Sequence, residues 1–447
     1  MKRISFKKAR LLAATALGLV GAVGLSPAAH ASGFGLREGS ADWLGNAFVG
    51  GEAKAYDSGT VYSNPAGMAL LDQSQVSGNI SYIGPSAKFK GVNSNLAGGN
   101  LHGTSGQNPV SAAATGAMFG VLVLNPDWRV GVSVTNPYGE RTSYPKNWVG
   151  RYQGLVSSIT GIDFSVALSY KVNNKLSVGG GPVVEYFHAR LTQAINSGLV
   201  AYSTPNSPAY GNPQAFGLSD GFGDVHGSDI ALGYNLGALY KIDNDTRVGL
   251  DYRSRIRHNI HGTQEIAAGN IGQSSTLDAR TTITSPDSVG ASIYHQVTPA
   301  LALMGSLQWT HWGLFNSLHV SPQGATPGTL AAAGSNISER WRNTWFAGVG
   351  ANYQVNDRIM MQTGFSFDES PVTNSNRTSR VPDANHYNLG FGMKYKLLPS
   401  TTVDLAYLHV FTPGGTINST SNQLSGTLAG DYAASDNSVT AGLSVVF

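Results

Sequence analysis

Cysteine is absent from this 447-residue chain. A disulfide framework is therefore excluded, and stability has to come from packing and hydrogen bonds. Charge is scarce too: only 12% of residues are Asp, Glu, Lys or Arg, about half the share of an average soluble domain. Beyond the first 31 residues no apolar run reaches the roughly 20 residues that a membrane-crossing helix needs. The run at 11–25 is short and rich in small residues. Lys2, Arg3, Lys7, Lys8 and Arg10 precede it, and Ala29-His30-Ala31 follows. That order marks residues 1–31 as a secretory leader. The leader holds five of the 29 Lys and Arg and none of the 26 Asp and Glu, so the exported chain has 24 basic against 26 acidic residues. A nucleic-acid partner is not indicated.

What the chain does have is glycine (56), tyrosine (19) and alternation. Ile162, Phe164, Val166, Leu168 and Tyr170 share one parity, with Asp163, Ser165, Ser169 and Lys171 on the other. Ile230, Leu232, Tyr234, Leu236, Ala238 and Tyr240 form a second apolar row, and the chain ends on Val439, Ala441, Leu443, Val445 and Phe447. Period-2 patterning of this kind belongs to strands with two unlike environments. About fourteen such strands follow residue 74. Tight turns (Asn125-Pro126-Asp127, Asn173-Asn174, Asp243-Asn244-Asp245, Thr298-Pro299, Asn356-Asp357, Pro399-Ser400) alternate with long polar connections near 91–111, 137–158, 196–228, 263–279, 320–340, 369–385 and 412–436. Short turns on one side and long loops on the other are the mark of an outer-membrane barrel. Lipid cannot satisfy a free strand edge, so the sheet has to close. The expected fold is all-β: a 14-stranded antiparallel transmembrane β-barrel in the bacterial outer membrane. Outer-membrane lipid and lipopolysaccharide surround it, and the terminal Phe447 suits the barrel assembly machinery. Trp128, Trp309, Trp312, Trp341 and Trp345 fall near strand ends, where interfacial belts sit.

Residues 32–73 fit no strand or helix period. They are irregular and close on Tyr62-Ser63-Asn64-Pro65-Ala66-Gly67-Met68, where Asn-Pro starts a turn and Gly67 permits another. Such a segment cannot bury a core of its own. It is read as a hatch, or plug, inside a barrel spanning 74–447; the plain alternative is a disordered mature N-terminus.

The ordered set Asn64-Pro65-Ala66-Gly67, Trp148-Val149-Gly150-Arg151-Tyr152, Tyr170–Gly179, Trp309-Thr310-His311-Trp312, Trp341–Trp345, Asp368-Glu369-Ser370-Pro371-Val372, Arg377–Asp383 and Asp404–His409 resembles the FadL/TodX outer-membrane transporters of long-chain fatty acids and aromatic hydrocarbons. The resemblance covers nearly the whole exported chain. It implies fourteen strands around an N-terminal hatch that includes Asn64, Pro65 and Ala66. It also implies passive uptake of hydrophobic compounds and a kinked third strand that opens sideways, here at Asn136-Pro137. Two basic residues hold the carboxylate in fatty-acid members; Gln193 and Ile337 stand at those places, with Arg190 and Arg340 close by as substitutes. The family's capture groove falls on the third and fourth outer loops, where Leu199, Val200, Tyr202, Tyr210, Phe216, Leu218 and Phe222 make an apolar set unusual for a solvated loop.

Arg253, Arg255 and Arg257 share a parity and read as a lumen-facing row, locked with Asp251, Glu185 and Asp368 rather than offered to substrate. Glu369 and Asp383 read as fixing loop geometry. Gly217-Leu218-Ser219-Asp220-Gly221 matches G-x-S-x-G but lacks the strand-to-helix context of a nucleophile elbow. His258 and His261 find no third metal ligand in the pattern. No catalytic residue, metal or cofactor is expected. The reading is a channel for hydrophobic molecules, long-chain fatty acids first. Aromatic hydrocarbons or other neutral apolar compounds are the nearest alternative, and a structural or adhesive barrel that binds partners through its loops is the alternative of another class.

Overall fold

The computed structural model describes residues 32–94, 101–205, 207–327, 329–333, 335–420 and 425–447; the leader lies outside them. Fourteen strands are laid down in chain order. They are β1 (Gln75–Ser94), β2 (Ala113–Val123), β3 (Trp128–Ser143), β4 (Val156–Lys171), β5 (Leu176–Ile195), β6 (Gly221–Lys241), β7 (Thr246–Arg253, then Ile256–Ala268) and β8 (Gln273–Ser285, then Ser288–Gln296). They continue as β9 (Leu301–Thr310, then Ser317–Pro322), β10 (Ser335–Ser338, then Thr344–Asn356), β11 (Ile359–Asp368), β12 (His386–Leu398), β13 (Thr401–Phe411, then Gly415–Thr420) and β14 (Thr427–Val446). Each pairs antiparallel with the next, and β14 pairs with β1 from Gln75↔Val446 to Ser94↔Thr427. The ladder has no open end, as a lipid-bathed sheet requires.

The parity of each strand decides its faces. Along β4, Asp163, Ser165, Ala167 and Ser169 are buried, while Phe164, Leu168 and Tyr170 are exposed. Along β6 the outward row Ile230, Leu232, Tyr234, Leu236 and Tyr240 is bare, Leu232 most of all at 74%. This outward apolar band is what the bilayer covers. All six expected tight turns fall between strands. The connection 369–385 has the expected bounds, but others are shorter than expected, because their strands continue past the band. The segments Ile256–Ala268 and Gln273–Ser285 pair along their whole length, leaving a single 3-10 turn, Gly269–Ile271, where a coil over 263–279 was expected.

The parity rule fails at one place on β7. Arg253 pairs with Asn235 and His261 with Ser228, so eight steps along β7 match seven along β6. The extra residue sits at Ser254–Arg255 and reverses the facing. Arg253 points inward to Asp163 (3.2 Å) and lies over the Tyr62 ring. Arg255 and Arg257 point outward and are exposed, while Ile256 and His258 turn in. The expected lumen row of three arginines is therefore one inward and two outward. Among the five tryptophans, Trp128 and Trp345 are exposed near strand ends, but Trp312 and Trp341 are buried.

The lumen is filled by the segment that starts at Ser32. It makes three short helices (Ala41–Leu44, Gly51–Lys54, Thr60–Ser63) and a 3-10 helix (Pro65–Leu70). None is long enough to be stable alone, and their backbone ends are satisfied largely by the wall. Asn64 caps the last turn by accepting from the Ala66 N–H (3.0 Å) and donates to the Ala238 carbonyl (3.0 Å). The Ala66 carbonyl accepts from Ser177 Oγ of β5 (2.9 Å) and Ser169 Oγ of β4 (3.3 Å). Lys394 on the wall meets Asp404 (2.9 Å), Asp42 (3.0 Å) and Asp57 (3.3 Å), and Lys54 meets Asp42 at 2.8 Å. These charges are buried and mutually compensated, so removing one partner would leave others unpaired. The Asn64-Pro65-Ala66 motif and this ion cluster both pin the plug to the wall.

Candidate transport path

Three features line up between the outer loops and the break in the third strand. The first is a pocket under the outer loops. Leu191, Val225, Ile266, Val320, Ile337 and Val200 give it an apolar wall, with Gln193, Gln264 and Arg380 among its polar groups. Gln193 and Ile337 come from β5 and β10, far apart in sequence and brought together by closure. Arg380 comes from the loop 369–385, which folds into the lumen. Arg380 is 5% exposed. It donates to Gln193 Oε1 (2.9 Å) and Ser157 Oγ (3.2 Å), and no carboxylate lies within ion-pair distance among the described residues. Burial lowers its pKa to about 10, with Glu339 and Tyr144 opposing, so it stays charged at neutral pH. Glu339, in the stretch that joins the two segments of β10, accepts from Trp341 Nε1 (3.1 Å). Burial pushes its carboxyl up to about 7, against the pull of Trp341 and Arg380.

Arg190 and Arg340 do not line this pocket. Arg190 is on the outer face of β5, half exposed and paired with Asp224 at 2.6 Å. Parity alone separates it from Gln193, three residues on. Arg340 lies past the end of its strand segment at φ 46°, bonded to Ser338 Oγ at 3.0 Å, and is exposed. In the sequence Arg380 stands out only within the motif Arg377–Asp383. No local pattern brings a loop arginine under β5.

The residues expected to form a capture groove are distributed along the third outer loop and into the start of β6. The third outer loop makes a helix, Ser197–Ser203, capped by Asn196, whose Oδ1 accepts from Leu199 N–H (2.9 Å). Leu199 and Val200 are buried, Tyr202 and Phe222 are half-buried, and Tyr210 is exposed. Phe222 packs against the Tyr144, Trp148 and Tyr152 cluster. Phe216 lies in a 3-10 turn, with its side chain outside the described residues. Loops three and four touch through Ser197 and Asn270 (3.3 Å). The segment 217–221 runs from that turn into β6, without the elbow a nucleophilic serine needs. His258 faces in, on Glu185 at 2.7 Å, and His261 faces out, so the two do not converge.

The second feature is an aromatic box. Phe34, near the start of the plug, is 0% exposed. Trp312 (4.7 Å between ring centroids), Phe315 (5.4 Å), Trp341 (5.4 Å), Tyr138 (5.6 Å) and Phe187 (6.3 Å) surround it. Leu191 and Ile337 of the pocket pack against the same cluster. Beside it Asp383 accepts from Gly33 N–H (2.9 Å) and Ser370 Oγ (2.6 Å), which fixes the loop to the plug.

The third feature is the break in β3. Thr135 pairs with Asp163 and Tyr138 with Gly161, so Asn136 and Pro137 together oppose one residue. Pairing with β2 ends at Val134. Pro137 has no N–H to give the ladder, and the freed edge is taken by the plug: Leu36 N–H donates to Pro137 O at 2.8 Å, and Gly139 N–H to Phe34 O at 2.9 Å. Asn136 and Pro137 line a second cavity, of about 170 Å³, together with Leu36, Trp43, Tyr62 and Arg253. Phe34 and its box stand between the two cavities.

Comparison with known proteins agrees with this architecture. A long-chain fatty acid transport protein of Shigella flexneri is 28% identical over 433 residues, covering 90% of this chain and 92% of that one. Outer membrane protein P1 of Haemophilus influenzae is 26% identical over 410 residues, 86% of each. The crystal structure of a Pseudomonas aeruginosa FadL homologue superposes with a TM-score of 0.85 at 23% identity, over 93% of this chain and 99% of that one. The Ralstonia pickettii toluene transporter TbuX superposes at 0.66 and 18% identity, over 92% and 99%. The profile of the outer membrane protein transport proteins matches residues 22–447, and the chain therefore belongs to the OMPP1/FadL/TodX family of the outer membrane.

Proposed function

We propose that the protein takes up hydrophobic molecules with an anionic head, long-chain fatty acids first, from the outer loops through the Arg380 pocket to the break at Asn136-Pro137. The observation that carries this reading is Arg380: a buried guanidinium at the end of an apolar pocket, held by neutral acceptors. A buried cation without a counter-charge is costly, and a bound carboxylate would supply one through charge-assisted hydrogen bonds. The acyl chain would lie along Leu191, Val225, Ile266 and Ile337. Each buried methylene is worth about 0.8 kcal/mol, so several partial sites in succession serve transport better than one that sheathes the chain. For passage, Phe34 has to leave its box and the plug its stitch on β3. The product then exits sideways at the break or downward past the plug.

Replacing Arg380 with Gln tests the reading. Oleate affinity should fall about 10- to 100-fold, the worth of one hydrogen bond to a charged group, while oleyl alcohol changes less than about threefold. Equal losses for both, or none for oleate, would remove Arg380 from the site. A second reading, neutral aromatic compounds, is favoured by the five rings around Phe34, which would hold another planar ring once Phe34 withdraws. Toluene uptake that exceeds oleate uptake in liposomes and is indifferent to Arg380 would decide for it.

A further inference from the structure

The reversal at Ser254–Arg255 of β7, matched by one between Ser285 and Ser288 of β8, leaves two arginines where the transport path does not use them. Arg257 of β7 and Arg280 of β8 are exposed on the outer face of the wall. Neither has a hydrogen-bond or ion-pair partner among the described residues, whereas the neighbouring Arg255 is satisfied by Asp287 at 3.2 Å. Register fixes their setting. Arg280 lies directly across from His261, and His261 across from Ser228. Arg257 lies across from Thr284, two rungs nearer the membrane than Asn259 and Thr282. On β6, the residue two past Ser228 is Ile230, which begins the bare apolar row with Leu232. Arg280 thus stands above the start of the apolar row, at the rung of Ser228, and Arg257, four residues from His261 as Leu232 is from Ser228, stands beside Leu232 at its upper end. Asn259 and Thr282 lie between the two cations, and Tyr234 and Leu236 lie beneath.

We propose that this patch on the outer wall of β6–β8 binds the phosphate groups of an outer-leaflet glycolipid, its acyl chains lying down past Leu232 over Tyr234 and Leu236. A phosphate suits the site because it offers several acceptor oxygens to guanidinium donors. The lipid, rather than a soluble anion, is the occupant because the patch borders the most exposed apolar row of β6, where chain and head group are met at once. The one-residue bulge in β7 is the device that builds the site: without it Arg257 would face the lumen. The proposal is independent of the transport reading, since none of these residues lines either cavity.

The test uses the full-length barrel in detergent micelles and bis-phosphorylated lipid A as probe, with bound lipid counted by native mass spectrometry. Dephosphorylated lipid A and inorganic phosphate are the comparison arms. Heat-modifiable migration confirms folding of each variant. Arg257→Ser or Arg280→Ser should each weaken lipid A binding about fivefold and the double variant about 25-fold, as expected for one juxtamembrane cation and for two. Arg257→Lys with Arg280→Lys should keep binding within about fivefold of the native chain. Dephosphorylated lipid A should bind the native chain no better than lipid A binds the double serine variant. Equal lipid A binding by the native and double serine chains overturns the proposal. Displacement of lipid A by inorganic phosphate at equal concentration also overturns it, in favour of a small-anion site.

Discussion

The backbone N–H of Leu36 donates to the carbonyl of Pro137 over 2.8 Å, so the plug is stitched to β3 where its ladder breaks. Two hydrogen bonds at the edge of a bulge are a weak clasp, each worth about 1 kcal/mol net. The stronger hold is the neighbouring Phe34 ring. Phe34→Ala empties the centre of a five-ring box, a change that costs about 3–5 kcal/mol at buried sites. Because the loss is local, the barrel should still form. Amide exchange at residues 34–39 and at Gly139 should accelerate at least about 100-fold, while exchange in β4 and β5 stays as it was. Unchanged exchange at those amides would show that the ring does not hold the clasp shut.

The limits of sequence reasoning have physical causes that particular residues make plain. The row from Ile230 to Tyr240 was legible because lipid and plug are as unlike as two environments can be, and parity records the difference. Fourteen strands and the side of the short turns followed from the same pattern. Arg255 and Arg257 were assigned to the lumen by that rule and lie outside. One inserted residue flips every later side chain, and a bulge leaves no mark in hydrophobic periodicity. Arg190 is near Gln193 along the chain, but parity puts the two on opposite faces. Arg380 was invisible as a pocket residue, since the loop that carries it reaches β5 only through closure of the barrel and folding of 369–385 into the lumen. Trp312 and Trp341 look like belt residues from their positions at strand ends; the plug, through Phe34, gives them an interior partner instead.

The fit of the plug can be tested at a wall glycine. A Cβ added at Gly179 of β5 would lie 2.7 Å from both the Ala66 nitrogen and the Pro65 carbonyl carbon, and 2.9 Å from the Leu168 carbonyl oxygen. All three are backbone atoms, held by the plug motif and by the neighbouring strand, so none can swing aside. Gly179→Ala should cost about 1–3 kcal/mol, in the range of overpacked sites, and the cost should fall on plug seating. Limited proteolysis of the folded barrel should then cut within residues 32–73, whereas the native chain should resist there. Gly217→Ala, where an added Cβ meets nothing within 4 Å, is the control and should behave as native. Full protection in Gly179→Ala would mean that the plug is not seated by this contact.

Glu339 gives the Arg380 pocket a pH dependence whose sign can be worked out. Its carboxyl ionises at about 7 in the folded chain, mainly because it is buried, against about 4.3 for an unperturbed glutamate. Between those values the folded protein keeps the proton. Below about pH 7 Glu339 is neutral and Arg380 faces the pocket as an uncompensated cation. Above it Glu339 is an anion that competes for the same guanidinium. Anion binding should therefore weaken as pH rises from 6 to 8, because the ionised Glu339 both repels the bound anion and screens Arg380. An alkyl sulfonate is the suitable probe, because its head stays charged over the whole range and only the protein titrates. Glu339→Gln should bind the probe at all pH values with the affinity the native chain has at pH 6. A native chain whose sulfonate affinity is flat from pH 6 to 8, or a Gln variant that keeps the slope, would show that Glu339 and Arg380 do not share the bound anion.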